Sequence, residues 1–95
     1  MYKSLQDVFD NAFTQASKGK GKERHAVDNK PFENQPIFWI EEHFKSFQLG
    51  QAVKKMHESQ ILPLDHAIAE LHGAMVFIAA RVISLQQIID KESKE

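Results

Sequence analysis

The stretch 64–90 decides the fold: Leu64-Asp65-His66-Ala67-Ile68-Ala69-Glu70-Leu71-His72-Gly73-Ala74-Met75-Val76-Phe77-Ile78-Ala79-Ala80-Arg81-Val82-Ile83-Ser84-Leu85-Gln86-Gln87-Ile88-Ile89-Asp90. Its apolar residues recur three and four apart, the period of a helix and not of a strand. Leu64, Ala67, Ile68, Leu71, Ala74, Met75, Ile78, Val82, Leu85 and Ile89 form one stripe, expected to face the preceding helix. Ala69, Gly73, Val76, Ala80 and Ile83 form a second stripe, whose small residues admit a closely packed neighbour. These five predict an interface between copies of the chain in a homo-oligomer.

Upstream, Leu49, Ala52, Val53, Met56 and Gln60 keep helical spacing over 47–60, with Lys54, Lys55 and Glu58 expected outside and Ser46 expected as the N-cap. The short turn through Pro63 forces this helix to pair antiparallel with 64–90. Pro36 suits the first position of a helix over 36–45, on which Glu41, Glu42 and His43 are expected to face water. Leu5, Val8, Phe9, Ala12, Phe13 and Ala16 make one face of a helix over 5–17, with Ser4 and Asp7 as its start signal. Between these two lies a polar loop, 18–35, opened by the glycine-interrupted run Lys18-Gly19-Lys20-Gly21-Lys22. The expectation is a single all-α domain over 1–95, a small helical bundle closed by an antiparallel helical hairpin and oligomeric.

With 95 residues, 42% of them apolar, and few glycines or prolines, the composition is that of one globular core. Twelve Lys and Arg against 13 Asp and Glu give a net charge of −1, which disfavours binding to DNA through a basic surface. The absence of cysteine excludes disulfides, thiol catalysis and thiolate-held zinc, and fits a reducing compartment. No basic region followed by an apolar run opens the chain, and the mainly apolar stretch without charge, 71–80, is shorter than the ~18 residues of a membrane span. A soluble, cytoplasmic protein without a membrane partner is expected.

Chemistry-bearing patterns are sparse. No Gly-x-Ser-x-Gly, His-Glu-x-x-His or Glu-x-x-His occurs, and Glu41 and Glu42 diverge on a helix, so a non-enzymatic protein without metal or cofactor is expected. His66 and Glu70 read as a surface ion pair. The basic stretch is the candidate binding segment: Lys20, Lys22, Arg24 and His25 supply cationic and forked donors suited to a phosphate. Phe32 and Trp39 flank the adjoining turn and are candidates to stack on a base.

The N-terminal amphipathic helix, the stretch Gly21-Lys22-Glu23-Arg24-His25-Ala26, the Phe32 and Gln35-Pro36-Ile37 turn, and Ala69-Glu70-Leu71-His72-Gly73-Ala74-Met75 together resemble small uncharacterised proteins of tailed bacteriophages. In general organisation the chain is similar to the phage anti-CBASS and anti-Thoeris sponges. That resemblance implies an anti-defence protein of the host cytoplasm that sequesters a phosphorylated small molecule, such as a cyclic nucleotide signal, at a subunit interface without cleaving it. The alternative reading is a helical interaction module that engages and inhibits a host protein through the last helix and exposed aromatics.

Overall fold

The computed structural model describes residues 1–18 and 31–94. They form α1 (Lys3–Lys18), a 3₁₀ turn (Phe32–Asn34), α2 (Pro36–His43), α3 (Phe47–Ser59) and α4 (Leu64–Ser93), an all-α arrangement with no strand among the described residues. α3 and α4 lie side by side as the expected hairpin, α1 packs against α4, and α2 crosses the open end near the start of α3. Pro36 occupies the first turn of α2, where its missing N–H leaves no bond unmade. Pro63 holds an extended backbone just before α4 and offers its carbonyl to the Ala67 N–H at 2.8 Å. α1 begins two residues earlier than expected, at Lys3, and Asp7 pairs with the Lys3 ammonium at 3.3 Å.

The core is small. Ile37, Phe38, Ala52, Ala74, Phe77 and Ala80 are buried together, with Phe32, Phe47 and Ile83 packed on their edge. Phe47 meets Phe77 edge-on at 6.2 Å, which seats α3 on the middle of α4.

The two stripes of α4 are placed otherwise than expected in their main parts, although Ala74 of the first is buried and Ala69 of the second is exposed. The small-residue side lies against α3: Ala80 is fully buried, and Gly73 passes beneath the Lys55 stem, so closely that a Cβ there would sit 3.0 Å from Lys55 Cδ. The large aliphatic side, Leu64, Ile68, Leu71, Ile78, Val82, Leu85 and Ile89, faces outward. α3 is turned in the same sense, with Gln48, Ala52 and Lys55 inward and Leu49, Val53 and Met56 exposed. Small residues at Gly73 and Ala80 let the helix axes approach there, with the Lys55 stem laid over Gly73.

Polar residues admitted to this seam are all partnered. Lys55 pairs with Glu70 at 3.5 Å, both side chains largely shielded from water, and lies 6.0 Å from the centre of the Phe77 ring. Glu70 therefore serves Lys55 and not His66, whose imidazole sits beside Asp65. Gln48 has no exposed surface; its Nε2 donates to the Ile37 carbonyl at 3.4 Å and its Oε1 accepts from the Ser84 hydroxyl at 3.2 Å.

Glu41 faces inward, contrary to the wet side expected for it. Its carboxylate accepts the Gln48 N–H at 2.7 Å, the Ser46 N–H at 3.2 Å and an Arg81 guanidinium N–H at 3.3 Å. It thereby caps α3 in place of Ser46, which stands at the N-cap in the left-handed region (φ 74°) and makes no side-chain cap bond. A carboxylate at a helix N-terminus, met by a guanidinium from a third helix, ties α2, α3 and α4 together.

Candidate functional site

The candidate phosphate residues Lys20, Lys22, Arg24 and His25 lie outside the described residues. Of the two candidate stacking rings, Phe32 is half-buried and meets the Phe38 ring edge-on at 5.2 Å, so it belongs to the rim of the core. Trp39 is 60% exposed, its ring 4.6 Å from that of His43, whose Nδ1 donates to the Trp39 carbonyl at 3.0 Å. Phe32 is thus engaged with the core, whereas Trp39 is largely open to solvent.

The five residues of the expected oligomer interface are also divided. Ala69 is exposed and its carbonyl accepts the Gln15 Nε2 at 3.0 Å, which fastens α1 across α4. Val76 is half-buried, Ala80 has no surface left, and Ile83 packs on the core. With Gly73 beneath Lys55, three of the five, Gly73, Ala80 and Ile83, are engaged within the chain, while the Ala69 side chain stays exposed and Val76 half-exposed.

No group of three or more His, Asp or Glu side chains capable of holding a metal occurs among the described residues. Every buried side-chain nitrogen and oxygen there has a partner within the protein. Glu41 and Gln48 are committed to holding helices together.

What stands open is apolar. Among the described residues only three large apolar side chains, Ile37, Phe38 and Phe77, are buried, whereas twenty are exposed. The richest surface is the outer stripe of α4, where exposure runs from 43% at Leu71, Ile78 and Leu85 to 85% at Leu64. Leu5, Phe9 and Phe13 of α1 add a second exposed face, since only Ala12 of that helix is buried. By length and composition α4, at 30 residues, also suffices to cross a bilayer, because Arg81 alone interrupts the uncharged run 71–88. Sequence periodicity marked this stripe as apolar but not as outward: the signal that bears on it lies in α3, where Gln48, Ala52 and Lys55 share a helical face that is polar at both ends. No family model, curated protein or solved structure matches the chain, so the apolar α4 surface itself carries the functional reading.

Proposed function

We propose that this chain is a non-enzymatic helical association module, which works by laying the outer face of α4 against an apolar helix of a protein partner. The observation that carries this reading is the excess of exposed over buried large apolar side chains. Monomeric proteins rarely expose contiguous apolar surface of this extent, and such surface marks interaction sites. A helix face with apolar residues three and four apart is suited to helix-on-helix packing.

A protein partner fits better than lipid. Placing 71–88 in a bilayer carries α3 with it, and α3 bears Lys54, Lys55, His57 and Glu58, of which Lys54 keeps 65% of its side chain exposed. Immersing that surface opposes insertion by several kcal/mol.

A fluorescent apolar dye tests the reading. At concentrations where the chain is monomeric, dye emission is expected to rise several-fold over that of a fully polar control, and Leu71→Glu with Leu85→Glu is expected to remove most of the rise. A folded monomer that takes up no dye overturns the association reading.

A further inference from the structure

We infer that the partner of α4 is α4 of a second copy of this chain, paired as a parallel, in-register two-stranded coiled coil; this rests on the association reading above. The outer stripe is spaced 4-3-4-3-4-3-4 from Leu64 to Ile89, a strict heptad repeat sustained over nearly four heptads. In heptad terms the d positions are Leu64, Leu71, Ile78 and Leu85, and the a positions are Ile68, Met75, Val82 and Ile89. β-Branched residues at a with leucine at d are the combination that favours two parallel strands. Seven of these eight side chains are exposed, and Met75 is half-buried.

The rest of α4 leaves this seam accessible. Gly73 and Ala80 occupy f positions and Phe77 a c position, so α3 packs on the side of α4 away from the seam. Ala69, which α1 reaches through Gln15, is a b position. A second copy can therefore dock without displacing either helix. The flanking positions raise no charge conflict: at g, Ala74 is buried in the core and Arg81 is held by Glu41, and the e positions His72, Ala79 and Gln86 carry no fixed charge.

Other occupants fit less well. Residues 19–30 include only Ala26 and Val27 as apolar side chains, too few to cover the stripe from within the chain. Two copies seated along the seam cover on the order of 1,000 Å² of apolar surface, the size at which specific interfaces begin. A like helix supplies the same repeat at the same pitch, which an arbitrary apolar partner does not.

Light scattering on the full chain at tens of micromolar is expected to give twice the 10.9 kDa chain mass. Ile78→Glu should return the mass to one chain with helical circular dichroism retained. Ile89→Glu, in turns beyond the reach of α3, does the same should Ile78→Glu fail to fold. Val53→Glu, on the exposed side of α3, should leave the dimer intact. The chain has no cysteine, so Leu85→Cys should cross-link copies under mild oxidation only if the two helices run parallel and in register. A dimer that survives both glutamate variants, or a dimer in which Leu85→Cys does not cross-link, overturns the inference. So does a wild-type monomer. If that monomer binds the dye, the association reading survives with a different partner; if it binds neither dye nor a second copy, both fall. A monomer that co-sediments with phosphatidylcholine vesicles overturns the pairing in favour of lipid.

Discussion

Glu41→Ala is expected to destabilise the protein by about 3 kcal/mol, because it leaves the Ser46 and Gln48 N–H groups and the Arg81 guanidinium without their shared acceptor. The figure is at the lower end for a broken buried ion pair, since Arg81 keeps 31% of its side chain in water and regains some solvation there. Against a total of 5–15 kcal/mol usual for a domain, this lowers the melting temperature by more than about 10 °C. Glu41→Gln, which retains an oxygen to accept the Gln48 N–H, should cost less than half as much. Glu42→Ala, on the exposed side of the same helix, should stay within about 0.5 kcal/mol of wild type. Thermal unfolding by circular dichroism at one fixed protein concentration checks all three. Equal losses for Glu41→Ala and Glu42→Ala would show that the carboxylate does not cap α3.

Phe77→Ala is expected to cost about 3–4 kcal/mol, the range for emptying an aromatic site in a packed core. The ring is 3% exposed, holds Phe47 edge-on, and lies near the Lys55 ammonium, so its loss opens a cavity between α3 and α4 and removes a cation–π contact together. Phe77→Leu preserves most of the volume and should cost about 1.5 kcal/mol or less. Urea unfolding should show the alanine variant with a lower midpoint and an unchanged slope. A small effect would place the ring outside the cooperative core.

Helix positions were legible in the residues because period and punctuation agree. Pro36, Pro63 and the glycines after Lys18 bound segments whose apolar spacing is helical, and all four helices lie within a few residues of their expected limits. Which side of α4 turns inward was not legible from period alone, because the helix is apolar on two sides and hydrophobicity does not rank them. Close approach ranks them: Gly73 and Ala80 admit α3 and the Lys55 stem, and leucine or isoleucine there would hold the hairpin apart. The α3 cap was misread for a related reason. Ser46 stands at the cap position, but its left-handed backbone leaves the amides to Glu41, and a carboxylate five residues upstream carries no local pattern. The phosphate reading of Lys20, Lys22, Arg24 and His25 rests on residue chemistry alone, whereas the heptad stripe rests on residue chemistry and exposure together.

Gln48 stands at the start of α3 and already reaches Ser84, so the last nine or so residues of α4 continue past the end of the hairpin with no turn of α3 beside them. A helix segment of that length is marginal in water by its own backbone bonds, and Ile88 and Ile89 stay about half exposed on it. In the coiled-coil pairing inferred above, order in this overhang becomes a function of concentration, because mass action couples helix propagation past Ser84 to encounter with a second chain. Amide hydrogens beyond Ser84 should exchange within seconds in dilute solution and slow at least tenfold at concentrations where pairing is complete, while those of 73–80 keep the same rate in both. Under that pairing, folding of the far end and assembly are one equilibrium, and the tail of α4 would report how many chains are present.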